Sequence, residues 1–140
     1  MKKEFVPYTE SLALKELGFN EPCLAFYYNN PTNQLSEPLS TWAIVEDYKN
    51  VFQISHVKCT APTFSQAFRW FREKHKLFIS FHRYRNSVVI EMPDTFPKVY
   101  EIWIQDENKD ESVWVECFDT YEEAETACLN KLIEIVKTNE

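Results

Sequence analysis

Apolar positions along this chain recur with two periods. Phe64, Ala67, Phe68 and Phe71 fall at i, i+3, i+4 and i+7, one stripe of an α-helix. The pattern predicts a helix over Thr63–Lys74. Thr63 and Gln66 precede and enter it as a T-x-x-Q capping box, in which each side chain satisfies a backbone donor left over at the helix start. Thr120 and Glu123 repeat the box ahead of a second helix expected over Tyr121–Lys137, with Tyr121, Ala124, Cys128, Leu132 and Ile135 as its apolar stripe. Acidic residues cluster early in this helix and Lys137 stands late, the order its dipole favours. A shorter helix is expected over Thr9–Leu17, capped by Thr9 and closed by Gly18 in a left-handed exit.

Short apolar runs bounded by turn residues predict strands. Cys23–Tyr28 is one, stopped by Asn29, Asn30 and Pro31. Thr41–Val45 and Val51–Val57 are expected to pair as a hairpin beyond a polar loop over 31–40. Leu77–Tyr84, Ser87–Met92, Val99–Ile104 and Ser112–Phe118 predict an antiparallel meander, its last two strands joined by the charged loop Gln105–Glu111. The expected fold is α+β, a single two-layer domain over residues 1–140. In it a mainly antiparallel sheet of four to six strands is packed by two to three helices. The echo between Thr63-Phe64-x-Gln66-Ala67 and Thr120-Tyr121-x-Glu123-Ala124 admits a duplicated β–α unit, but a cap recurring wherever a strand feeds a helix is the simpler account.

Composition sharpens this picture mainly by exclusion. The chain has 140 residues, 44% hydrophobic and 16% aromatic, enough for a packed core. Gly18 is its only glycine. Phosphate-binding loops, dinucleotide fingerprints and nucleophile elbows all need several glycines at fixed positions, so none fits this sequence. Cys23, Cys59, Cys117 and Cys128 form no CxxC pair and are expected as free thiols. The start, MKKEFVPYTE, lacks the apolar core of an export signal, and no apolar run reaches membrane-spanning length. A cytoplasmic protein without a membrane partner is the expectation.

Charge is divided along the chain. Between Arg69 and Arg85 stand six cations, Arg69, Arg72, Lys74, Lys76, Arg83 and Arg85, against Glu73. Residues 101–140 hold twelve acids and three lysines, and the whole chain carries −7. Trp70, Phe78, Phe81 and Tyr84 interleave with the cations, as in grooves that hold single-stranded nucleic acid. Alternation on a half-buried helix and strand produces the same pattern, and that is the preferred reading. The acids Asp106, Glu107, Asp110, Glu111, Glu122, Glu123 and Glu125 are candidates for entering a positively charged groove of another protein, with solubility and helix capping as the plainer alternative.

Asp106, Asn108 and Asp110 match the first positions of a calcium loop, but Glu111 stands where its glycine is required. His56 and Cys59 lie three apart without a second ligand pair, so Cys59 is read as a structural thiol ahead of a helix. His75 and His82 are expected as surface groups flanking the basic region. No catalytic constellation, metal set or cofactor motif emerges.

Three stretches taken together are similar to a known group of sequences. They are Glu4-Phe5-Val6-Pro7-Tyr8 with Leu14-Lys15-Glu16-Leu17-Gly18-Phe19 and Glu21-Pro22-Cys23; Ala61-Pro62-Thr63-Phe64-Ser65-Gln66-Ala67-Phe68-Arg69-Trp70-Phe71-Arg72-Glu73-Lys74; and Thr120-Tyr121-Glu122-Glu123-Ala124-Glu125 with Leu132-Ile133-Glu134-Ile135-Val136. The chain thereby resembles a family of small uncharacterised proteins of bacteriophages and bacterial mobile elements. That resemblance implies an intracellular setting. Together with the missing catalytic motifs and the split charge, that setting leads to the expectation of a non-enzymatic protein that modulates or inhibits a host protein or ribonucleoprotein complex, such as a nucleic-acid-guided defence nuclease, in the manner of an anti-CRISPR protein. The other readings are a nucleic-acid-binding accessory protein using residues 69–85, and a small-molecule-binding or enzymatic domain. Exposed aromatics would also favour a homodimer.

Overall fold

A computed structural model describes residues 2–36, 57–83 and 100–139. After a 3-10 turn at Lys2–Glu4 come α1 (Tyr8–Glu16), β1 (Ala25–Tyr28), β2 (Val57–Ala61) and α2 (Phe64–His75). They are followed by β3 (Leu77–Arg83), β4 (Tyr100–Asp106), β5 (Glu111–Phe118) and α3 (Tyr121–Asn139). The fold is α+β and every described strand pairing is antiparallel, as the pattern predicts. The five described strands are divided between two sheets, β1-β2 and β3-β4-β5. The expected strands at Thr41–Val45 and Ser87–Met92, and all of Val51–Val57 except Val57, lie outside the described residues.

The chain divides into two compact units, Met1–Ala67 with Asn139–Glu140, and Phe68–Thr138. In the first, α1 ends as the sequence predicts. Gly18 adopts φ 92°, its N–H donates to Lys15 O at 3.0 Å, and Phe19 N–H donates to Leu14 O at 2.9 Å. That pair of bonds is a Schellman closure, which needs a residue without a Cβ penalty at its left-handed position. The start of α1 differs from expectation. Pro7, not Thr9, precedes the first turn and provides no side-chain cap, while Ser11 Oγ donates back to Val6 O at 3.1 Å.

β1 and β2 pair from Ala25 opposite Ala61 to Tyr28 opposite Val57. Phe5, Ala25, Tyr27, Cys59 and Ala61 form a buried cluster with Tyr8, Leu12, Leu24 and Leu35 against it. Tyr27 Oη donates to Val6 O at 2.7 Å, so its buried hydroxyl is satisfied. Cys59, read from the sequence as a structural thiol ahead of a helix, is buried within β2. The Thr63 box is only half made. Thr63 Oγ1 accepts Gln66 N–H at 3.2 Å, but the Gln66 amide turns away and donates to Pro22 O at 2.7 Å.

In the second unit, β4 is the centre of a meander, with Ile79 opposite Ile104 on one side and Ile104 opposite Val113 on the other. A register shift in the β4–β5 pairing falls between Ile102 and Trp103. Strand alternation sends Ile102 and Ile104 to the buried face and Trp103 and Gln105 to the opposite one. On the buried face Phe81 meets Phe68 of α2 at 6.1 Å and Tyr121 of α3 at 5.3 Å between ring centroids. The Thr120 box of α3 is fully reciprocal: Glu123 N–H donates to Thr120 Oγ1 at 3.2 Å, and Thr120 N–H to Glu123 Oε2 at 3.4 Å. Ala124, Cys128, Leu129, Leu132, Ile133 and Val136 are the buried residues of α3, whereas Tyr121 is exposed and Ile135 half-buried. The true stripe thus leans toward Leu129 and Ile133.

Candidate functional site

Arg69, Arg72, Lys74, Lys76 and Arg83 are all exposed, and Arg85 lies outside the described residues. The rings that interleave with them are turned elsewhere. Trp70 and Phe71 are buried, Phe78 and Phe81 half-buried, and Tyr84 lies outside the described residues. Lys74 Nζ stands 5.6 Å from the centroid of Trp70, a cation–π contact made within the helix. His75 is drawn inward against Trp70 and Phe71, with centroids at 4.7 and 5.9 Å, so it is not the surface group expected, while His82 is exposed.

The seven candidate carboxylates do not form one face. Asp106 is 3% exposed, and its Oδ1 accepts Asn108 N–H at 3.0 Å. Asn108 Nδ2 in turn donates to His75 O at 2.8 Å, and Glu107 N–H to Lys76 O at 3.1 Å. This turn fastens the end of α2 and gives Asp106, a candidate contact acid, and Asn108 a structural role. Glu107, Asp110 and Glu111 are exposed at the same end of the sheet. Glu122, Glu123 and Glu125 stand at the other, separated by the length of β5, about 23 Å for an eight-residue strand. Glu125 is half-buried. Burial raises its carboxyl above the usual range, a hydrogen bond from Tyr121 opposes that rise, and the charge of Glu122 adds to it.

Two surface features of this unit stand out. One is a depression along α3 of about 650 Å³, lined by Phe118, Glu122, Glu123, Thr126, Ala127 and Asn130. Two of the acids singled out in the sequence, Glu122 and Glu123, therefore form its rim.

The other is the open face of β3-β4-β5. Trp103 and Trp114 are directly opposed across β4 and β5 and are 38% and 49% exposed. Trp114 Nε1 donates to Glu101 Oε1 at 3.0 Å, which fixes one indole in place. Ser80 and Gln105 share this face by register and alternation, and both are exposed. The sequence reading passed over both tryptophans. The signal was present in Ile102-Trp103-Ile104: if both isoleucines enter the core, the residue between them points outward.

Burial disfavours the thiolate form of Cys23, Cys59 and Cys128. Burial pushes Cys23 up to about 12, Cys59 to about 11 and Cys128 to about 12. His56, the suggested companion of Cys59, lies outside the described residues. Among the described residues no three His, Cys, Asp or Glu side chains gather to hold a metal, and no helix is long and apolar enough to cross a membrane. Comparison with family profiles, with curated proteins and with solved structures found no match for the chain.

Proposed function

We propose that the chain is a non-catalytic protein-binding module whose contact surface is the open face of β3-β4-β5. The observation that carries this reading is the opposed pair Trp103 and Trp114, two large rings left in solvent by a sheet that buries Ile102 and Ile104 on its other face. Tryptophan is the residue most enriched among side chains that dominate protein–protein binding energy, because one rigid ring covers a large area at small entropic cost. The carboxylate held against Trp114 is Glu101, and a negative group beside the rings disfavours a phosphate backbone. In the setting that the resemblance implies, the partner is a host protein or ribonucleoprotein complex and the outcome is its modulation or inhibition.

The test compares the tagged chain with a Trp103→Ala, Trp114→Ala double variant in host-cell extract. The wild type is expected to retain a defined partner, and the double variant to bind it at least about 30-fold more weakly, as hot-spot tryptophans do. Matched melting curves for the two proteins exclude unfolding as the cause. Undiminished capture by the variant refutes the reading. Retention of a single-stranded oligonucleotide at low salt, lost on Arg69→Glu and Arg72→Glu, would move the function to α2.

A further inference from the structure

The depression on α3 shares no lining residue with the tryptophan face. Its floor is apolar, formed by Phe118 from the end of β5 and Ala127 from α3, with Thr126 beside them. Glu122 and Glu123 line it from the first turn of α3, and Asp119, also exposed, stands three positions before Glu122 in the chain. Glu123 caps the helix by accepting the Thr120 backbone N–H at 3.4 Å, and that bond involves no cationic side chain. Among the described residues no cation lines the depression, and Lys131, one position beyond Asn130, is paired with Glu134 at 3.0 Å. The surface is also preformed, since α3 is anchored behind it by buried Ala124, Cys128 and Leu129.

We propose that this groove seats a cationic amphipathic segment of a partner protein. An apolar side chain of that segment enters over Phe118 and Ala127, and its lysines or arginines meet Asp119, Glu122 and Glu123. Charge complementarity selects this occupant. An anionic ligand would be repelled by the rim, and a purely apolar one would leave the carboxylates unanswered. About 650 Å³ lies within the range of ligand-binding clefts, and the groove is open along its length, which suits a side chain carried on a longer segment. A second copy of this chain fits poorly. Its own basic helix, α2, buries Phe64, Ala67 and Phe71 and so has little apolar surface to offer beside Arg69 and Arg72.

The test is an NMR titration of the full-length, ¹⁵N-labelled chain with an amphipathic leucine–lysine peptide of about 18 residues, five helical turns, and with its leucine–glutamate counterpart. The lysine peptide is expected to shift amides between Phe118 and Asn130, and the glutamate peptide to leave them unmoved. Glu122→Lys and Ala127→Lys should each weaken binding about tenfold or more, by reversing charge among the acids and by filling the floor with a cation. Glu122 is exposed and makes no cap, so its variant tests the site even if the substitution at Ala127 disturbs α3. The proposal is overturned if the lysine peptide shifts nothing in the groove. Perturbation spread evenly over other acidic surfaces, equal binding of the two peptides, or wild-type affinity in the Glu122→Lys variant each overturns it as well.

Discussion

Glu125 shows how one side chain can carry a cost that the sequence does not announce. It stands one turn after Tyr121, half in the protein, and its carboxyl is raised chiefly by burial. A carboxyl whose pKa is higher in the folded state binds its proton more tightly there. Its stabilising contribution is complete below the unfolded carboxylate range and is lost as pH rises through the folded value. At pH 7 the folded protein therefore holds an ionised Glu125 at a disadvantage. Glu125→Gln, which keeps an acceptor for the Tyr121 hydroxyl, is expected to raise the melting temperature at pH 7. The gain should shrink to nothing near pH 4, and equal melting temperatures at pH 7 would contradict the assignment. Left-handed backbone at Asn33, Lys76 and Asp110 belongs to the same scale. With Gly18 alone available as a glycine, these turns are made by residues that tolerate or endure a positive φ.

The same four-residue signature behaves differently in two helices. At α3 the box closes on itself, whereas at α2 Gln66 abandons it for the carbonyl of Pro22. By sequence rules Gln66→Glu is neutral or an improvement, since glutamate suits both the box and the helix dipole. Here it removes the amide donor and sets a carboxylate against a carbonyl. A loss of about 1–2 kcal/mol is expected in urea unfolding, the usual penalty for breaking such a bond; unchanged or increased stability would show that Gln66 is indifferent to Pro22. Elements with local signals were legible in advance: α2 and α3 by periodicity and caps, and the end of α1 by its glycine. β2 was not, because Val57–Ala61 lacks alternation and is fixed by its pairing with β1, a contact distant in sequence. The tryptophan face was hidden for a related reason. Three consecutive apolar residues in β4 conceal which of them faces inward until register is known. Glu122 and Glu123 were legible as exposed acids, but the apolar floor beside them depends on where β5 delivers Phe118.

For the molecule as a whole, the linear division of charge translates only in part into space. The acids of the β4–β5 turn end up beside the last residues of α2, as the bonds from Asn108 to His75 and from Glu107 to Lys76 record. The formal separation in sequence is thereby locally offset, while Glu122 and Glu123 line the groove of α3. The proposed contacts accordingly divide by chemistry, aromatic on the sheet and anionic on the helix.

The sequestered cysteines have one further consequence. Cys23 and Cys59 belong to one compact unit and Cys128 to the other, all buried, while Cys117 is half-buried. A thiol so placed reacts only when its surroundings open, so native chemistry has installed an opening clock in each half. Pulsed alkylation at pH 8 followed by mass spectrometry should mark Cys117 first and the other three on the timescale of unfolding. Simultaneous labelling of Cys59 and Cys128 would mean that the halves open as one cooperative body. Staggered labelling would rank their lifetimes without any engineered probe, and prompt modification of all four would show that the burial described here is not kept in solution.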